Sequence, residues 1–328
     1  TFSKILKHSV LSNNYSLLIF YALNLGRPIV DCAHRNLWLV NYTLLRMTGT
    51  LVYILAFLFY TFAGWYFWQT RWKHQSIYPV NQGNDPSRAN WQAHLIMLVP
   101  IIFHGLSLSQ SIFIETGLSF GVGNAISSIV WLTGLIYWFT GFFPRLQGLQ
   151  NLFAPIAIAG AIAVLLPLVI PSVRPLANTE MTAFKMHLLV AMLAYSLFTI
   201  AALHALLMTV QEYRLHHPTL SPLLTNLPPL LAMEKMLFHI IWTGFTLLTL
   251  TLFSGIIFSQ EVFGRSITFS HKTLFGFISW GIFAALLTGR KLYGWRGHTA
   301  IRWTLVGFII LLLAYIGSKF VLEIILNR

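Results

Sequence analysis

Charge is the scarcest thing in this sequence. Of its 328 residues, 21 are Lys or Arg and 8 are Asp or Glu, 9% in all, where an ordinary soluble domain carries about 25%. So few charges cannot solvate the surface of a soluble fold. Cysteine is scarcer still. Cys32 stands alone, which excludes an intramolecular disulfide, a CxxC redox pair and a thiolate metal cluster. Acidic residues stay out of the long apolar runs, Glu323 excepted, so the buried carboxylate usual in proton and cation pumps is missing. There is no HExxH, no GxSxG and no paired-carboxylate spacing. The sequence therefore offers no hydrolase constellation and reads as a non-enzyme.

What is abundant points one way. Hydrophobic residues make up 56% of the chain and aromatics 15%, with a mean hydropathy of +0.71. Disordered chains are poor in aromatics and rich in charge, so disorder is excluded. The net charge of +13 would suggest nucleic acid in a soluble protein. Here the basic residues lie between apolar runs, where Lys and Arg set membrane topology, and nucleic-acid binding is discounted.

A membrane-crossing helix needs about 20 mostly apolar residues. Eight stretches qualify, at 48–70, 92–109, 122–143, 151–170, 186–210, 236–260, 273–289 and 303–326. Backbone groups in lipid must pair within their own segment, so the expected fold is all-α, a polytopic bundle of about eight spans. Residues 1–46 do not fit this pattern. They carry Lys4, Lys7, Arg27, Arg35 and Arg46, and their longest apolar run, Tyr15–Leu25, is too short to span. Met47 directly precedes the first span. The expectation is a non-core extension over 1–46, upstream of a natural start at Met47, and a single transmembrane domain over 47–328. Without that extension, ten Lys and Arg fall in the odd-numbered loops and five in the even loops and tail. The odd-numbered loops should then face the cytoplasm.

Twelve histidines carry what chemistry there is. Imidazole is the commonest metal ligand and suits haem iron. His187 opens the fifth span and His271 stands two residues before the seventh, at similar depth on the same side. Such a pair is suited to clamping one haem iron axially; the ordinary reading is two interfacial histidines beside headgroups. His104 lies mid-span, where a polar side chain is costly and by default functional, although a helix-to-helix hydrogen bond would also account for it. His239, one turn into the sixth span, and His204, near the inner end of the fifth, are the residues that could cooperate with His104. Trp131, Trp138, Trp242 and Trp280 lie within spans, where they line a flat macrocycle or simply pack. The basic loop Arg290–Arg302 reads as a topology signal with affinity for anionic lipid, haem propionates being the sharper alternative.

From about residue 180 the chain resembles the cytochrome c assembly protein family, the CcsA-like haem-handling membrane proteins, and within it the HemX-like inner-membrane branch. The resemblance rests on MHLLVAMLAYSLFTIAALHALLM, on LPPLLAMEKMLFHIIWTGFTLLTLTLFSG and on HKTLFGFISWGIFAALLTGRKLYGWRG with AYIGSKFVLEIIL. Residues 47–170 resemble the family through span order and His104. The resemblance implies haem binding in cytochrome c-type biogenesis, in the bacterial inner membrane, beside other cytochrome c maturation membrane proteins. It matches His187 to the family's first outer histidine and His104 to its first membrane histidine. The tryptophan-rich outer segment is missing; EVFGRSITFSHKTLFGFISW stands there, ending on Trp280. Where the second outer histidine is expected the chain reads FVLEIILNR, and Thr288 and Gly289 stand where the second membrane histidine should be. The assignment to be tested is an outer haem site of His187 and His271 and an inner site of His104 with His239. A secondary transporter of a small organic substrate stays open, as does a scaffold or regulator that keeps the fold without haem transfer. Transporters often show internal repeats, and the two halves of this chain show no convincing one.

Overall fold

The computed structural model describes residues 49–73, 86–114, 117–143, 152–171, 181–216, 229–263 and 271–317. The expectations about residues 1–46 and Met47, and Glu323, lie outside them. By its internal contacts the chain divides into Thr1–Leu51 and Val52–Arg328. Of the first unit only residues 49–51, the opening turn of a helix, are described.

Eight helices follow the expected order. They are α1 (Gly49–Thr70), α2 (Pro86–Ile112), α3 (Val122–Thr140), α4 (Phe153–Val169), α5 (Thr182–His216), α6 (Leu230–Phe263), α7 (His271–Tyr293) and α8 (His298–Leu312). Seven are long and apolar enough to cross a membrane; α4, with 17 residues, is the shorter one. At ~1.5 Å per residue it is ~25 Å long, at the lower limit for a span. The fold is a polytopic all-α bundle. Helices α5 and α6 run to 35 and 34 residues, past the apolar stretches that announce them, because backbone pairing continues into the polar flanks. A short antiparallel ladder between α2 and α3, Phe113↔Leu118 and Ile114↔Gly117, has no counterpart in the apolar pattern. Asn124 pins it, donating from Nδ2 to the carbonyls of Ser119 at 2.8 Å and Ser111 at 3.2 Å.

The sequential helices that pack on each other run antiparallel. Between α3 and α4, Gly123 meets the carbonyls of Leu166 and Ile170 while Gly134 meets Ile156. Between α5 and α6, Gly244 packs on Phe198 and His204 reaches the carbonyl of Met233. The small residues have a purpose: lipid tails are as apolar as leucine, so helices associate through close packing. A Cβ at Gly123 would stand 2.6 Å from the Ile170 oxygen, and one at Gly160 would stand 2.6 Å from the Tyr60 ring. One apolar core joins both halves of the bundle, from Tyr60, Met97 and Phe153 to Phe198, Leu237 and Phe283.

Candidate functional site

The antiparallel register gathers the ends of α5, α6, α7 and α8 into two polar levels. One level holds the start of α5, the end of α6 and the start of α7. There His187 Nδ1 lies 2.7 Å from Ser254 Oγ. Ser254 also donates its hydroxyl hydrogen to the Leu250 carbonyl, 2.8 Å away. Ser254 thus links the His187 ring to the backbone of α6. A neighbour bonded to one imidazole nitrogen is the kind of contact that orients metal-binding histidines. The ring is half-buried, packs near Phe184 at 6.4 Å, and lies over Gly255, where a Cβ would stand 3.5 Å from its Cε1.

Helix α7 starts at this same level. Gly276 faces Leu252, and Trp280 donates to Thr249 Oγ1 at 3.0 Å while stacking on Phe245 at 5.5 Å. His271, five residues before Gly276, is the first residue of α7, ~7.5 Å further along the axis by helical rise. That sets its backbone at the level of the Ser254 turn, where His187 sits. His187 and His271 thus belong to one end of the bundle. The neighbouring Lys272 ammonium lies 4.9 Å over the Tyr315 ring, tying α7 to the turn after α8. Trp280 is one of the ties between α6 and α7 on the way into the membrane.

His104 and His239 bond to different partners. The His104 ring is wholly buried, with Nδ1 3.2 Å from Tyr60 Oη and Nε2 2.8 Å from Ser127 Oγ. Three helices, α1, α2 and α3, meet on that one imidazole. An iron bond at either nitrogen would displace a hydroxyl partner. His239 is exposed on the outer face of α6, and its Nδ1 lies 2.7 Å from the Lys235 carbonyl of its own helix. Trp131 and Trp138 fasten α3 to α2 through the carbonyls of Ile101 and His94, while Trp242 is exposed. Among the described residues no three His, Cys, Asp or Glu converge as a metal site. That observation bears little on haem iron, which asks the protein for axial ligands alone.

The other level is one the sequence did not announce. Glu234, in the first turns of α6, is buried. Its carboxylate pairs with Arg290 Nη1 at 2.6 Å and Arg296 Nε at 3.1 Å, and accepts from the Gly297 backbone N–H at 3.3 Å. Arg290 also lies 4.6 Å over the Phe238 ring and donates to the Trp295 carbonyl. The turn between α7 and α8 needs Gly294 and Gly297 at φ of 67° and 51°, the left-handed region that glycine enters most easily. Glu212 at the end of α5 meets His298 at 3.3 Å. The Glu234 cluster therefore ties α6 to α7 and to the turn into α8, and a separate Glu212–His298 contact ties α5 to α8 at the same end. Two of the three arginines of the basic loop thus share one internal carboxylate. A signal for this existed in the sequence: Glu234 is one of only eight acidic residues and precedes an apolar run.

Comparison with known proteins bears on what this arrangement is for. A model of the family described as Cytochrome C assembly protein matches residues 91–326. Over 139 residues the chain is 34% identical to the inner membrane protein YpjD of Escherichia coli K12, a match covering 42% of this chain and 52% of that protein. It is 32% identical over 142 residues to a 28.8 kDa protein of Azospirillum brasilense, covering 43% and 52%. It is 34% identical over 88 residues to the cytochrome c biogenesis protein CcsA of Prochlorococcus marinus MIT 9215, covering 27% and 28%. The chain thus spans about half the length of the first two of these relatives and 28% of the third.

Proposed function

The chain belongs to the Cytochrome C assembly protein family, and from that premise we propose that it binds and presents haem in cytochrome c biogenesis. It sits in the bacterial inner membrane with its odd-numbered loops in the cytoplasm. The observation that carries the reading is His187. It is half-buried at a bundle end, with its ring held at Nδ1 by Ser254. His187 and His271, at the start of α7, are the residues that would hold haem iron, and bound haem would supply the iron centre to be presented. Ser254 keeps the His187 ring plane fixed, as outer-shell partners do for metal-bound histidines. Trp280 holds α7 against α6 and so fixes where His271 begins. The protein makes and breaks no covalent bond in this scheme. It carries haem, with the bilayer and other cytochrome c maturation membrane proteins as its partners.

The test is genetic and direct. Deleting the gene in its native host should remove covalent haem staining from c-type cytochromes. The wild-type gene should restore it and His187→Ala should not, at equal membrane abundance. Undiminished staining in the deletion strain would overturn the proposal.

A further inference from the structure

The end of the bundle that holds His187 is poor in positive charge. Among the described residues Lys185 and Lys272 are the Lys and Arg side chains there, and the rest stand at the opposite end. Basic residues are sparse on the side of a membrane reached by translocation, so topology gives no reason for a lysine at this level. Lys272 also has a fixed place. It directly follows His271 at the start of α7, and its ammonium lies 4.9 Å over the ring of Tyr315, which is buried. Tyr315 packs 6.2 Å from the ring of Tyr195, and the Tyr195 hydroxyl donates to the Leu311 carbonyl at 3.0 Å. A lysine at a membrane edge ordinarily snorkels to the headgroups on a flexible stem. This one lies against an aromatic face that joins α5, α7 and the turn after α8.

That place is close to the candidate site. On α5, His187 stands about two turns nearer the helix start than Tyr195. Beyond α8, Tyr315 stands further than Leu311 toward the same end of the bundle. Those steps bring the Tyr315 ring, and the ammonium on it, toward the level of His187. The charge of Lys272 reaches the His187 imidazole electrostatically. Phe184 packs beside the imidazole at 6.4 Å. An aromatic-walled imidazole with an ammonium to one side suits a ligand that is apolar over most of its area and anionic at one edge. Haem has that form: its macrocycle is apolar, and its propionate carboxylates lie together on one side. An ammonium offers three hydrogens to such oxygens, and a cation–π contact leaves its charge in place.

We propose that Lys272 binds a propionate carboxylate of haem and so orients the macrocycle at the level of His187. The inference rests on the functional reading above and deepens it. Lys272 is a positioning residue in this scheme, and the iron belongs to the histidines.

The experiment titrates the purified full chain, in phosphatidylcholine nanodiscs, with haem and with haem dimethyl ester, whose carboxylates are masked. The readout is the ratio of the two dissociation constants, followed at the Soret band. Wild type should bind haem roughly tenfold more tightly than the ester, the size of one charge-assisted hydrogen bond. In Lys272→Met the two constants should converge, and in Lys272→Arg the preference for haem should persist. Methionine keeps an unbranched apolar stem against the Tyr315 ring, so Lys272→Met should retain the wild-type unfolding midpoint. Lys185→Met should keep the preference, and His187→Ala should weaken both ligands alike. Equal affinities in wild type, or a preference that survives Lys272→Met, would overturn the inference and leave haem binding standing. Phosphatidylglycerol that stabilises wild type and not Lys272→Met, with no preference between the two ligands, would make the lysine a lipid contact and overturn it too. Binding of neither ligand by wild type would overturn the functional reading and the inference together.

Discussion

The first four helices and the last four handle polar groups in a membrane in different ways. In α1–α4 several side chains that join two helices are bonded at each of their polar atoms, although His94 Nδ1 and the Tyr137 hydroxyl are buried without a hydrogen-bond partner. His104 is taken at both nitrogens, by Tyr60 and Ser127. Trp131 and Trp138 donate to backbone carbonyls, and Asn124 holds Ser111 and Ser119. Glycines bring the backbones close at Gly123 and Gly160. That half is a scaffold. In α5–α8 one end is locked by charge around Glu234, while the other is held by a neutral bond between His187 and Ser254. The difference separates an end fixed by charge from an end where a neutral contact orients the His187 ring.

The comparison breaks first at the charge lock. Glu234→Ala should cost about 3 kcal/mol, the low end for breaking a buried pair, because Arg290 and Arg296 keep some contact with solvent. Glu234→Gln should cost less, since its carbonyl oxygen still accepts. Thermal unfolding in detergent would read both, and equal midpoints for Glu234→Ala and wild type would remove the lock from the account. Next comes close packing. Gly123→Ala should cost about 2 kcal/mol, because the atoms its methyl group would strike are backbone carbonyls that cannot swing away. A smaller loss is expected from His104→Leu, about 1 kcal/mol, with haem content unchanged. A drop in haem in that variant would turn the scaffold half into a second site. Least visible in stability is Ser254→Ala. Its unfolding should shift by less than about 0.5 kcal/mol, yet haem affinity should fall roughly tenfold as the His187 ring loses its orienting bond. Unchanged affinity would separate Ser254 from the site.

The helices were legible because a span is a local property: its length and apolarity are written in consecutive residues. Their order and places follow from sequence alone, as does membership of the family. Partners were not legible. His104 stands out as costly, but its partners come from 44 residues before and 23 residues after it. The Glu234 network joins residues 62 apart, and its arginines look like any topology signal. The faces of α6 were not legible either. In a membrane the lipid-facing and core-facing sides are both apolar, so periodicity cannot say which side is buried. His239 shows this: its depth could be read from the sequence, its outward direction could not. The depth shared by His187 and His271 was readable from span ends, because both stand at helix starts on one side. The role of Ser254 was not, since a serine 67 residues away becomes a partner only through the register of α5 and α6.

The central claim is that His187 holds haem iron from the outer end of the bundle. The absorption spectrum of the detergent-purified protein, oxidised and dithionite-reduced, tests it most directly, with His187→Ala, His271→Ala and His104→Leu prepared alongside. The account predicts a Soret band with sharp reduced α and β bands that is lost or shifted in the first two variants and retained in the third. A band that survives His187→Ala unchanged, or no band even after haem is supplied, would contradict it.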